Sequence, residues 1–288
     1  MLVDGLSIAL KALMYLALLQ AAGGVFYLAI FESRLRDSVS AVRVVTTGAA
    51  IACVLLTVSY TAYQAARMSG DLSGIFDRHL QRLVWRSTTG ASAALRIAAM
   101  GLVSWYGCRR PGSNGVVRQA GAAAAVLSLL LLGHTSVHPE RWLLAPLLAL
   151  HLLIAAWWFG SLMPLALAAR REDASASLSV VNRFSTIAGW LVPGLALAGL
   201  GIGWILTGGR YSTDDPYDLA LTGKALGFSL LMGLAALNRW RLGPRLISGL
   251  PDAVRTFVVS LAIEYLLVAG VVAVTAVMTS LYSPEAMR

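Results

Sequence analysis

Charge is scarce in this chain. Asp, Glu, Lys and Arg make up 13% of its 288 residues, about half the usual share in a soluble domain. With 58% hydrophobic residues, that composition excludes an ordinary soluble globular domain. Cysteine is nearly missing as well. Cys53 lies inside an apolar run and Cys108 at the end of another, so no disulfide outside the membrane is expected, and no CxxC pair is present to hold a metal or run redox chemistry. The chain also lacks GxxxxGK[ST], an aspartyl-phosphate motif, GxSxG and HExxH. ATP is therefore not expected to drive it directly, and no enzymatic activity is expected.

What the chain has instead is apolar length. Runs of about 18 or more mostly apolar residues recur throughout, each the size of a helix that crosses a bilayer. Eight are predicted, at about 6–31, 44–66, 85–107, 117–134, 142–169, 184–207, 219–240 and 257–282. The first is too long for a signal-peptide core and has no clear cleavage site, so it counts as a spanning helix. The fold class expected is an all-α integral membrane protein, a bundle of eight helices forming a single membrane domain over residues 1–288 in a lipid bilayer. The formal charge of +9 is a matter of membrane sidedness rather than nucleic-acid binding. Thirteen arginines fall at the odd-numbered connections and seven on the other side. By the positive-inside rule the odd connections are cytoplasmic, which places both termini in the periplasm.

The longest connection, about Arg67 to Val84, places Ile75, Phe76, Leu80, Leu83 and Val84 near helical spacing among polar residues. It predicts a short amphipathic helix on the outer surface. Gly199 with Gly203, and Gly223 with Gly227, have the spacing that lets transmembrane helices approach closely.

Polar residues inside apolar runs are costly, which makes them functional candidates. All four histidines fall on the outer half. His134 closes the fourth predicted helix, His138 lies in the short loop after it, His151 sits about nine residues into the fifth, and His79 lies in the amphipathic loop. Neutral imidazole is a common metal ligand, and two histidines on adjoining antiparallel helices can meet at one ion. His134 and His151 are the leading pair, with His138 a possible third or entry ligand. The bland alternative for each is an interhelical hydrogen bond, and for His79 that alternative leads. Gln20, Arg96, Lys224 and Glu264 are the other buried polar groups, and Asn238 ends the seventh helix. Lys224 has the option of snorkelling to the surface. Glu264, about seven residues from the cytoplasmic end, can accept a proton or a cation, or form an ion pair with Arg96.

Several stretches taken together resemble the bacterial copper-resistance protein D family. They are "GHTSVHP", "HLLIAAWWFGSLMPL", "NRFSTIAGWLVPGLALAGLGIGWILTG", "LTGKALGFSLLMGLAALNRWRLGPRL" and "EYLLVAGVVAVTAVMTSLYSP". The likeness is best from the fourth helix onward and loose over the first three. It implies an inner-membrane protein that handles copper ion delivered by a periplasmic copper carrier protein. It also implies that His134 and His151 are the membrane histidines and that Lys224, Asn238, Arg239 and Glu264 are recurrent polar positions. Import from periplasm to cytoplasm is the function expected, downhill or coupled to protons through Glu264. The shortage of Cys and paired Met argues against a purely thiolate or thioether path. The alternatives are a haem-binding cytochrome using His134 and His151 as axial ligands, and a copper-binding partner that does not transport.

Overall fold

The computed structural model describes residues 2–107, 115–246 and 250–282, and all its regular elements among those residues are helical. In chain order they are α1 (Leu2–Phe31), α2 (Val39–Ser69), α3 (Arg78–Arg86), α4 (Thr88–Gly107), α5 (Gly115–Leu127), α6 (His134–Val137), α7 (Arg141–Arg171), α8 (Ala174–Thr207), α9 (Pro216–Leu237), α10 (Gly243–Arg245) and α11 (Pro251–Leu281). The position expected for Cys108 lies outside the described residues, while Cys53 is buried and free.

Among the described residues six stretches are long and apolar enough to cross a membrane: Asp4–Arg34, Val39–Ser69, Arg141–Arg171, Ala174–Thr207, Pro216–Arg245 and Asp252–Leu281. The expected count of eight is not confirmed, since only these six among the described residues meet that length and composition. α4 carries Arg96 among Thr, Ser and Gly and is less apolar, and Gly115–Leu131 is short.

Helix ends shift where polar residues cap them. α8 begins at Ala174, ten residues before the predicted start, because Asp173 accepts a hydrogen bond from the backbone N–H of Ala176 and caps it. Trp85 belongs to α3 rather than to the next long helix. α5 tightens into a 3₁₀ turn at Ser128–Leu131, and Gly133 then turns the chain at φ 78°, where a side chain would be strained. His134 consequently starts α6 instead of ending the predicted 117–134 helix.

Side-chain contacts show which helix ends share a face. Lys11 Nζ donates to Thr279 O (3.1 Å) and Ser280 Oγ (3.2 Å), joining the start of α1 to the end of α11. Arg67 at the end of α2 lies 3.9 Å from Asp4. On the opposite face Glu172, which follows α7, caps the start of α2. Its carboxylate accepts from the backbone N–H groups of Arg36 (3.1 Å), Asp37 (3.1 Å) and Ser38 (2.8 Å), and from Ser38 Oγ (2.5 Å). Partial burial pushes the Glu172 carboxyl up, but these donors together outweigh it and hold the group below the usual glutamate value.

The apolar interior has two clusters. One is built from α1, α2, α4, α5 and α7, the other from α1, α7, α8, α9 and α11 with Val42 of α2. α1 and α7 take part in both, and they meet backbone to backbone at a pair of glycines. A Cβ on Gly23 would overlap Ala156 O and come 2.6 Å from Gly160 Cα, so both glycines are needed for backbone contact. Gln20 Nε2 donates to Gly160 O across this seam (3.1 Å). The glycine pairs expected to serve this purpose do something else. Gly199 faces the His151 ring, Gly203 faces Leu221, Gly227 faces Val271 and Gly223 faces open space.

The amphipathic element forms as α3. Asp77 caps it by accepting from the N–H groups of His79 and Leu80. Gln81 ties it to α2 through Ala62 O (2.9 Å). Val84 is buried, while Phe76, Leu83 and Trp85 are exposed, as befits an element lying at a membrane surface.

Candidate functional site

The second cluster contains a polar column. It begins at His151, ten residues after Arg141 and thus about 15 Å along α7. The ring is half-buried against α8, with Nδ1 3.2 Å from Leu195 O. A carbonyl only accepts, so in this arrangement Nδ1 carries the proton and Nε2 keeps its lone pair. Lys224, half-buried on α9, is near enough for its charge to act on the ring.

Trp158 lies seven residues after His151, two turns further along the same face of α7 and about 10 Å deeper. Its Nε1–H donates to Glu264 Oε1 at 3.0 Å. Phe228, one turn after Lys224 on α9, packs edge-on against the Trp158 ring, with centroids 6.3 Å apart and planes at 86°. The Asn238 amide donates to Glu264 Oε2 at 2.9 Å. Asn238 opens a π turn, Asn238–Leu242, that interrupts the regular helix and packs against α11.

Glu264 is 2% exposed, and its partners are the two neutral donors just named. It does not pair with Arg96. α11 starts at Pro251 rather than near Phe257, so Glu264 is thirteen residues in, close to the middle of a 31-residue helix. It is deeper than its expected place seven residues from one end. Its distance from His151 along the bundle is then roughly the two turns that separate His151 from Trp158.

Arg96 belongs to the other cluster. It is also 2% exposed; Nε reaches Ser128 Oγ (3.1 Å), Nη2 reaches Ser92 Oγ (2.9 Å), and Nη1 approaches Met14 Sδ (3.1 Å). Arg239 extends across α8 to Ser185 O (2.9 Å), passing Gly189, where a side chain would collide with its guanidinium.

Of the expected site residues, His151, Lys224, Glu264 and Asn238 fall in one column. His138 closes α6, and its Nδ1 accepts from the backbone N–H of Glu140 (3.1 Å). The backbone of His134 opens α6, and its side chain lies outside the described residues. Exposed His79 sits on α3. Among the described residues no three His, Cys, Asp or Glu side chains gather into a metal-binding group. Trp158 was not anticipated as a partner of Glu264. Its neighbour Trp157 instead stacks on Phe184 at 5.0 Å, and the Trp157 Nε1 has no hydrogen-bond partner among the described residues. The seven-residue step from His151 was the available signal for Trp158.

Long antiparallel apolar helices around a buried polar column define a multi-pass membrane protein of the all-helical class. Two family models match the chain: "Copper resistance protein D-like, N-terminal domain" over residues 1–139 and "Copper resistance protein D" over residues 178–278. The chain belongs to the copper resistance protein D family. A relative, "Copper resistance protein D" of Pseudomonas syringae pv. tomato, is 26% identical over 259 residues, covering 84% of this chain and 83% of its own length. No solved structure matches at comparable stringency. Lys224, Asn238 and Glu264 fall inside the second model, whereas His151 and Trp158 lie between the two. The first three helices, a loose likeness by eye, are covered by the first model.

Proposed function

We propose that this protein moves copper ion across the bacterial inner membrane, from the periplasm to the cytoplasm, after receiving it from a periplasmic copper carrier protein. The observation that carries the reading is His151, held through Nδ1 by Leu195 O. This second partner orients the ring and leaves Nε2 as a ligand, the arrangement typical of metal-binding imidazoles. In this reading His134 is the companion ligand, and His138 is an entry ligand that gives up its local hydrogen bond to bind. Imidazole suits copper in either common oxidation state. The ammonium of Lys224 opposes positive charge beside His151, so copper held there passes on rather than resting, as conduction requires. Glu264, held by Trp158 and Asn238 deeper in the bundle, is where copper movement is coupled to a second ion.

Copper uptake into proteoliposomes, paired with copper titration of the purified protein, tests this. His134→Ala and His151→Ala should each abolish most binding and uptake, and His138→Ala should have a milder effect. Glu264→Gln should bind copper normally but transport it poorly. Near-normal affinity in His151→Ala would reduce that residue to an interhelical hydrogen bond. A Soret band in the visible spectrum would favour haem over copper.

A further inference from the structure

Glu264 presents an unusual electrostatic situation. Its carboxylate is buried in the membrane-spanning part of the fold, and no basic side chain among the described residues pairs with it. Both oxygens accept N–H hydrogen bonds, Oε1 from Trp158 and Oε2 from Asn238. Burial penalises the anion, and these two donors offset that penalty only in part. A lone anion in this setting requires a compensating positive charge.

Two further oxygens close by are uncommitted. Asn238 is 7% exposed, and its Oδ1 has no hydrogen-bond partner among the described residues. The amide that holds this oxygen is the one bonded to Glu264, so Oδ1 is within a few ångströms of the carboxylate. Ser260 is 5% exposed, and its Oγ is likewise unpartnered. It lies one turn before Glu264 on the same face of α11. The threonines of that helix behave differently. Thr256, Thr275 and Thr279 each donate to the carbonyl four residues earlier. Ser260 alone among these four leaves that local bond unmade. The π turn at Asn238 is a feature found often at functional sites.

We infer that Glu264, Asn238 Oδ1 and Ser260 Oγ form a binding site for a hard monovalent cation, of which sodium is the fitting example. The donors are all oxygen, which suits hard cations and not copper. A single carboxylate balances one positive charge and would leave a divalent ion uncompensated. Trp158 and the Asn238 amide nitrogen position the carboxylate, each through an N–H bond to one of its oxygens. The site deepens the transport reading by naming the ion coupled at Glu264, but sodium binding stands or falls without copper.

The experiment is radioactive sodium binding to the purified full-length protein in lipid nanodiscs, free of copper, with potassium and magnesium as competitors. Saturable binding is expected, displaced by unlabelled sodium and poorly by magnesium. Ser260→Ala, a small change on an unbonded hydroxyl, should weaken it several-fold with an unchanged melting temperature, and Glu264→Gln should abolish it. Absence of saturable sodium binding in the unsubstituted protein overturns the site, as does undiminished binding in Glu264→Gln. Copper uptake measured in the same preparation separates the two ideas. Sodium binding without copper transport sinks only the transport reading, and copper transport without sodium binding sinks only this one.

Discussion

At the scale of single residues, the chain advertised its buried polar groups and concealed their partners. Glu264, Arg96, Asn238 and Gln20 were recognisable because each interrupts an apolar run. An ion pair between Glu264 and Arg96 was a natural expectation, yet each finds neutral partners in a different cluster. Partner choice depends on how neighbouring helices rotate about their axes, which hydropathy does not report. Glu172 was overlooked because a glutamate after a run of arginines resembles ordinary loop polarity. Its four donors from Arg36, Asp37 and Ser38 make it a cap on another helix. With its carboxyl held below the ordinary glutamate value of about 4.5, the charge stabilises the fold above that pH. The contribution is lost as pH falls through the depressed folded value. Glu172→Gln should therefore lower the melting temperature at neutral pH, and the gap should close as both proteins are titrated into the acid range. A constant gap at all pH values would mean that shape, not charge, matters there.

At the scale of elements, the existence of the long helices was legible from apolar length, and their ends were less so. α8 gained ten residues because Asp173 caps a polar first stretch that hydropathy alone discards. Gly133 cut His134 away from α5, a break that reading the apolar run as continuous overlooked. Small residues were also misassigned. The spaced glycines on α8 and α9 meet side chains or open space, while the backbone contact belongs to Gly23 and Gly160 on α1 and α7. Gly23 sits in an unremarkable "AAGG" stretch, so only the helix pairing identifies it. Gly160→Ala should be destabilising by about 1–3 kcal/mol, the usual penalty for overpacking a close joint. Thermal unfolding in detergent reads this, with Gly223→Ala as the neutral comparison because it faces open space. Equal melting temperatures for the two variants would contradict the seam.

At the scale of the whole molecule, arginine asymmetry predicts which face is which, and labelling can check it. A cysteine placed at exposed Ser175, beside the α7–α8 turn, should react only after the membrane is permeabilised, and one at exposed Ser212 should react from outside. The reverse pattern would invert the orientation and turn the proposed copper entry into an exit. Sidedness also gives the depth of Glu264 an electrical meaning. The carboxylate lies close to the middle of α11, so a cation reaching it from either face crosses roughly half of the membrane potential. A full crossing corresponds to about 2.3 kcal/mol per charge at 100 mV, and half of that to roughly 1 kcal/mol. Occupancy of this one side chain therefore responds to voltage as well as to concentration, and depolarising the membrane alone is enough to change how full it is.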